Sequence, residues 1–270
     1  MTPAQKIIKY IALAFAVCLI VGIISGIIKL IGGISFILSR KDKSSTKENE
    51  FVELIEADTV SILDIELEYA QLIIKKGDCF KAETTDKTIS IKSNKAKLTI
   101  KESNKIFHST EGETVILYIP ESHQFESVEI ESGAGTVEIE TLNVKKLSLD
   151  LGAGKATFNE LLVSESADID CGTGLTAISG GEIRNLDIDV GVGKLEITSK
   201  LTGNCSIDNG IGSAEIKVLN HQDLYTVETS NGIGTISING QNVSQDIVIG
   251  TGENLIKISG GIGNVNLLFE

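Results

Sequence analysis

Apolar and polar residues alternate along most of the chain. The segments VEIES, LSLDL, ADIDC, LDIDV and CSIDN each precede a Gly-x-Gly triplet, and TVEIE, KATFN, LTAIS, KLEIT and SAEIK each follow one. An alternation of period two is typical of strands with one buried face and one solvent-exposed face. The pattern therefore predicts an all-β structure for residues 128–270.

The triplet recurs at a nearly constant interval. Its first glycine lies at positions 133, 152, 172, 191, 210 and 232, in steps of 19, 20, 19, 19 and 22 residues. A coil this short cannot bury its apolar face alone, so neighbouring coils must stack. We predict a single-stranded β-helix, or β-solenoid, whose coils pair in parallel in chain order. A shorter third side of each coil is expected at Val144, Val163, Ile183, Leu201, Leu224 and Val243.

The glycines are expected to form corners of the coils. The inward-facing set shifts by one residue across the triplet, with Ala134 expected to point inward. Glycine tolerates the backbone that such a shift requires. A phosphate-binding loop is disfavoured because no helical pattern follows any copy. The structural glycines are Gly133, Gly135, Gly152, Gly154, Gly172, Gly174, Gly191, Gly193, Gly210, Gly212, Gly232 and Gly234.

Residues 51–127 keep the alternation without the glycine triplets, which predicts irregular opening coils and hairpins of the same stack. Pro120 is expected to end their last strand, because proline cannot donate a ladder hydrogen bond. A final irregular coil is expected around Gly261 and Gly263.

The first 50 residues differ from the rest. Ile11–Ile28 contains no charge, and the helix from Lys9 to Lys29 would span about 30 Å, the thickness of the hydrocarbon core. We predict a transmembrane anchor over 1–39 and a charged tether over 40–50, with a cleaved signal peptide as the alternative. Basic residues flank both ends, so the positive-inside rule leaves the orientation open.

The membrane segment, the strand ending on Ile119-Pro120 and the coils of form apolar-x-apolar-acid-x-Gly-x-Gly together resemble the bacterial putative adhesin family, a β-strand-repeat domain of unknown function. The resemblance implies a single-chain β-helix displayed outside the cell on the bacterial envelope. It brings no catalytic residues.

Charge narrows the range of partners. Residues 51–270 carry 17 Lys and Arg against 34 Asp and Glu, a net charge of −17. Such a surface repels nucleic acid and attracts cations or a basic envelope component.

Acidic residues recur at one outward position before the glycines. They are Glu131, Asp150, Asp170, Asp189 and Asp208, and Asp168 and Asp187 lie two residues earlier in their coils. The sheet face that carries them is expected to lack basic residues. One interpretation is a solubilising face. The other is a cation platform, in which Asp168, Asp170, Asp187 and Asp189 bind Ca²⁺ weakly or contact a lysine-rich partner.

Further polar residues have structural interpretations. Asn209 and Asn231 are expected to lie inward on adjacent coils and to hydrogen bond to each other. The histidines, His108, His123 and His221, are expected in exposed loops. Cys171 and Cys205 are expected two coils apart, too far for a disulfide.

No catalytic grouping of a nucleophile with a base is evident. We therefore expect a membrane-anchored, non-enzymatic adhesin or scaffold without a cofactor. The alternatives are an accessory or regulatory subunit of an envelope-stress system and, less favoured, a carbohydrate-active enzyme.

Overall fold

The computed structural model describes residues 50–53, 60–84, 88–103, 114–243 and 246–270. The chain divides into two compact units, 1–46 and 47–270, and the described residues all belong to the second. The predicted transmembrane helix lies outside the described residues. Within the ranges above, no helix is both long and apolar enough to cross a membrane.

The described residues confirm the all-β class, since they form one 15-stranded sheet. A single 3-10 turn, Gln222–Leu224, interrupts them. The strands are β1 Glu50–Glu53, β2 Ile62–Leu67, β3 Gln71–Gly77, β4 Lys81–Thr84, β5 Ile89–Asn94, β6 Lys97–Glu102, β7 Thr114–Pro120, β8 Phe125–Ile178, β9 Gly181–Arg184, β10 Leu186–Thr202, β11 Asn204–Val218, β12 Tyr225–Ile238, β13 Gln241–Val243, β14 Ile247–Ile249 and β15 Asn254–Phe269. As predicted, Pro120 is the last residue of β7.

The middle of the sheet is a stack of parallel coils in chain order. β10 pairs with β8 on one side and with β11 on the other, residue for residue across the Gly-x-Gly corner. Ile188 thereby lies between Ile169 and Ile207, and all three are fully buried. Complete burial of an isoleucine side chain contributes roughly 1.5–3 kcal/mol. The stacked isoleucines thus stabilise the register between neighbouring coils.

The end coils do not follow chain order, contrary to the expectation. The last strand of the chain, β15, inserts between β11 and β12 and pairs in parallel with both. At the other end, β2 and β3 lie between β8 and the later strands β6 and β7. All coils share one inward-facing pattern, so the pattern cannot specify which neighbour each coil takes.

Antiparallel strands cover both ends of the stack. β13 and β14 pair with the outer edge of β12, and β5 pairs with the outer edge of β6. β4 covers β7 and is itself covered by β1. These antiparallel strands occupy backbone groups that would otherwise pair with other chains.

The third side of the coil is present in the middle of the stack. Ile183 pairs with Val163 and Leu201, and all three are buried. Leu224 was predicted wrongly, because the 3-10 turn leaves it 48% exposed. The adjacent Tyr225 is buried instead, and its hydroxyl donates to the carbonyl of Leu201 at 2.7 Å.

Candidate functional site

The Gly-x-Gly corners lie directly above one another. Gly193 pairs with Gly174 and Gly212, and a Cβ atom built on Gly193 would lie 1.9 Å from the carbonyl oxygen of Gly174. The first glycine of the triplet is equally confined, since a Cβ on Gly191 would lie 2.5 Å from the oxygen of Gly172. Any side chain at these positions would point along the stack into the next coil. The glycines therefore lie where the backbones of neighbouring coils approach each other closely.

The residue between the glycines points outward, so the inward placement of Ala134 was wrong. At the equivalent positions Ile262 is 48% exposed and Ile233 is 73% exposed. A Cβ built on either glycine would point along the stack, towards the neighbouring coil. The side chain of the residue between them is left on the outside of the corner. We call this column the corner ridge; in spatial order it comprises Ala134, Ala153, Thr173, Val192, Ile211, Ile262 and Ile233.

The corner below Ala134 is built without glycine. The amide of Ala134 donates to the carbonyl of Glu68 at 2.7 Å. The Glu102 carboxylate Oε2 accepts hydrogen bonds from the amides of Glu68, Tyr69 and Ala70 at 2.7, 2.9 and 3.2 Å. Successive amides that converge on an anion form a nest. Nothing in the local sequence indicated this contact, because Glu102 lies more than 30 residues away.

The predicted acidic residues come together as columns on one exposed face. Asp187 pairs with Asp168, and Asp189 pairs with both Asp170 and Asp208. Paired strands lie about 4.8 Å apart. We call these five residues the acidic face. Glu131 continues the column towards β2, where it pairs with Glu66, and Asp150 is exposed on the coil after Glu131.

Two aspartates of the acidic face, Asp187 and Asp189, have pKa values raised by their surroundings. The pKa of Asp187 is raised above its ordinary value by desolvation first, and then by the charges of Asp168, Asp208 and Asp170. The pKa of Asp189 is raised by desolvation and next by Asp208. Both shifts oppose ionisation, so a cation close to these carboxylates would relieve part of the unfavourable energy.

The expectation that this sheet face lacks basic residues was wrong. Lys257 stands between Ser206 and Glu228, and its ammonium lies 3.3 Å from the Glu228 carboxylate. At the other end Lys101 forms an ion pair with Glu66, as Lys97 does with Asp64. These lysines arrive on the coils that stack out of chain order, so the acidic residues are concentrated in the middle of the stack.

No closed metal site is formed by the described residues. Among them, no group of three or more His, Cys, Asp or Glu side chains is arranged to hold a metal ion. The four aspartates predicted to bind Ca²⁺ weakly stand in two columns, Asp168 with Asp187 and Asp170 with Asp189. Weak calcium binding therefore stays a prediction that solution measurements must test.

The predicted hydrogen bond between Asn209 and Asn231 was wrong. Both asparagines pair with Gly260 of the inserted strand β15, so an entire coil separates them. Asn209 is 3% exposed, and within the described part of the chain neither atom of its amide group has a hydrogen-bond partner. The side chain of Asn231 lies outside what the structure describes.

The two histidines that the structure describes, His123 and His221, do not form a catalytic group. His123 lies in the connection between β7 and β8, but the prediction that it is exposed was wrong. Its ring packs against Phe80 and Phe125, with ring centroids 4.8 and 4.5 Å away. Burial lowers its pKa. His221 is exposed and lies 3.1 Å from Asp223. His108 lies outside the described residues.

The described cysteines are free thiols. Burial raises the pKa of Cys171 and Cys205, so neither is an activated thiolate at neutral pH. Cys79 is exposed.

One protein family and several solved structures are similar to the chain. The Toastrack DUF4097 family matches residues 52–254, more than half of the chain. Among solved structures, the chain is similar to putative adhesins from Parabacteroides distasonis ATCC 8503, at 14% identity over 81% of this chain and 95% of that chain with a TM-score of 0.47, and from Parabacteroides merdae ATCC 43184, at 15% identity over 84% and 98% with a TM-score of 0.44.

The chain is also similar to a putative cell adhesion protein from Clostridium sporogenes ATCC 15579, at 13% identity over 83% of this chain and 100% of that chain with a TM-score of 0.36. No curated protein is significantly similar. At these identities and TM-scores the similarities indicate no ligand and no activity.

Proposed function

The chain belongs to the Toastrack DUF4097 family, and we propose that it is a membrane-anchored, non-enzymatic β-solenoid that presents a rigid acidic surface outside the bacterial cell. In this role it would serve as an adhesin or scaffold for a basic or cationic envelope component. The anchor is the apolar segment Ile11–Ile28.

The observation that carries the proposal is the alignment of carboxylates across successive coils. Asp170, Asp189 and Asp208 occupy the same position on three hydrogen-bonded coils. A backbone paired on both sides holds such charges at fixed spacing, and fixed spacing favours a multivalent cationic partner over mobile counterions. Like charges this close cost stability, so their repetition is better explained by binding than by packing.

The absence of an assembled catalytic group in the described residues supports a non-enzymatic role. His123 packs between aromatic rings, and the buried thiols are protonated at neutral pH. Arg184 is the only arginine after residue 50 in the sequence. A glycoside-hydrolysing site would need two carboxyl groups that flank the scissile bond, one of them acting as the proton donor.

Chemical labelling of Cys79 tests the membrane orientation. Cys79 is exposed, whereas Cys205 is buried. We expect a membrane-impermeant maleimide to label the full chain in intact spheroplasts of a bacterial host, and the label to vanish in Cys79→Ala. A cytoplasmic protein with exposed thiols serves as the leakage control.

Labelling that occurs only after lysis would refute display outside the cell. It would place the solenoid in the cytoplasm and favour the accessory or regulatory subunit of an envelope-stress system.

A further inference from the structure

One end of the corner ridge is an exposed apolar surface. In spatial order Val192, Ile211, Ile262 and Ile233 occupy neighbouring coils. Val192 and Ile211 are half-buried, whereas Ile262 and Ile233 are among the most exposed large apolar side chains described. Exposed apolar side chains that are contiguous rather than scattered mark interaction surfaces. These four residues form what we call the apolar ridge end.

The acidic face borders this surface along part of its length. Asp189 lies three residues before Val192, and Asp208 lies three residues before Ile211. On the next two coils the corresponding positions are Ser259 and Ser230, which pair with each other. The border is therefore acidic beside Val192 and Ile211 and neutral towards the capped end of the stack.

A shallow depression separates the ridge from the acidic border. It is lined by Asp189 and Asp208 together with Ser259, Gly260 and the neighbouring glycine Gly261. The inserted strand β15 contributes to this space, because it places Ser259 beside Asp208 and Gly260 at the next position, while Asp189 lies on the other side of Asp208. An ammonium or guanidinium group placed there would contact the carboxylates of both aspartates. The pKa of Asp189 is raised by desolvation and next by the charge of Asp208, so a cation there would favour ionisation of Asp189.

We propose that the apolar ridge end and its acidic border bind a cationic amphipathic helix of a partner protein. The apolar stripe of that helix would pack along Ile211, Ile262 and Ile233, and a lysine or arginine at its flank would enter the depression beside Asp189 and Asp208. This inference deepens the proposed function, on which it rests, by naming the chemistry of the partner.

The spacing of the coils favours a helix over an extended peptide. A helical stripe repeats about every 5.4 Å and coils repeat about every 4.8 Å, so over three steps the two diverge by only about 1.8 Å. The same face of an extended strand repeats about every 6.7 Å and diverges by about 6 Å over the same distance. A helix can therefore place successive side chains on successive coils.

Charge excludes the obvious competitors. Two copies packed ridge to ridge would bring their acidic borders together, and an anionic lipid surface would meet the same repulsion. A helix with basic residues beside its apolar stripe complements both features.

Peptide binding to the full chain in phosphatidylcholine nanodiscs tests the proposal, with empty nanodiscs as the blank. The probe is a fluorescent Leu/Ala/Lys peptide of about 16 residues, long enough to form an amphipathic helix. Its controls are a scrambled peptide of the same composition and a peptide with Glu in place of Lys. We expect saturable binding of the amphipathic Lys peptide alone, weakened by added salt.

Two pairs of variants assign the surface. The double variant Ile233→Thr with Ile262→Thr replaces each isoleucine with another β-branched residue, and threonine occurs naturally in this column at Thr173. It should weaken binding about tenfold. The pair Asp189→Asn with Asp208→Asn should weaken it comparably and remove most of the salt dependence. Ile62→Thr, an exposed isoleucine away from the ridge, should change nothing.

Equal binding of the scrambled peptide, or unchanged binding by the ridge variants, would overturn the proposal. So would ridge-dependent binding to vesicles that contain phosphatidylglycerol, because that result would assign the ridge to lipid. If the peptide-binding test fails but Cys79 is labelled from outside the cell, the proposed helical partner is refuted while the proposed function still holds.

Discussion

Replacing a corner glycine should destabilise the stack far more than replacing a glycine in an open turn. Alanine at Gly193 is a sufficient change. Gly193 has φ +152° and its Cβ would lie 1.9 Å from a backbone oxygen. Gly240, in the turn between β12 and β13, has φ +76° and nothing within 4 Å of its Cβ.

Both positions carry the cost of a non-glycine residue at positive φ, but only Gly193 carries the added cost of a steric clash. A non-glycine residue at an unfavourable positive φ costs about 1–3 kcal/mol, offset by about 0.4–1 kcal/mol from the smaller entropy of the unfolded chain. At Gly193 the Cβ must also move about 1 Å away from Gly174, which would break about two ladder hydrogen bonds worth about 1 kcal/mol each. We expect Gly193→Ala to lose about 3 kcal/mol and Gly240→Ala about 1 kcal/mol.

Urea unfolding of the full-length chain, followed by far-ultraviolet circular dichroism, measures the difference. The result to compare is the free energy of unfolding of Gly193→Ala against that of Gly240→Ala, with equal slopes in urea as a check on two-state behaviour. Equal losses for the two variants would mean that the backbone conformation alone determines the cost. The close approach of neighbouring corners would then be refuted.

Three further predictions concern the acidic face and the cysteines. Millimolar Ca²⁺ should raise the melting temperature above that in NaCl of equal ionic strength. The double variant Asp170→Asn with Asp189→Asn should abolish this difference. Equal effects of the two salts would refute the cation platform and favour the solubilising interpretation of the acidic face. Because the folded pKa values of Asp187 and Asp189 are raised, their contribution to stability should increase as pH falls from neutral through those values. The variant Asp187→Asn with Asp189→Asn should lack this gain in unfolding experiments, and a pH-independent difference from wild type would contradict it. Non-reducing peptide mapping should find Cys171 and Cys205 unlinked, since their coils are two steps or about 10 Å apart; a linked pair would show that the coil register is wrong.

The repetitive features were predictable because each is determined within a single coil. The alternation places Ile188 inside and Asp189 outside whichever coil lies next to it. The glycine interval likewise fixes which residues stack, so Asp170, Asp189 and Asp208 could be aligned from the sequence before any pairing was known.

The order of the end coils could not be predicted in the same way. β15 carries the inward pattern and the corner of β12, so either strand satisfies the next position on β11. The choice depends on the connection through β13 and β14, whose antiparallel pairing occupies the outer edge of β12. Contacts between distant segments, such as Glu102 with the amides of residues 68–70, likewise leave no local pattern.

The coils that stack out of chain order change which residues are neighbours on the surface of the stack. If β12 followed β11 directly, Asn209 and Asn231 would be neighbours and Lys257 would not interrupt the column between Ser206 and Glu228. Insertion of β15 places Gly260 between the asparagines, and it opens the depression beside Asp208. It also adds Ile262 to the corner ridge. The same insertion thus extends the apolar ridge and places Ser259 next to Asp208, so the surface proposed to bind a cationic helix depends on topology more than on any single motif.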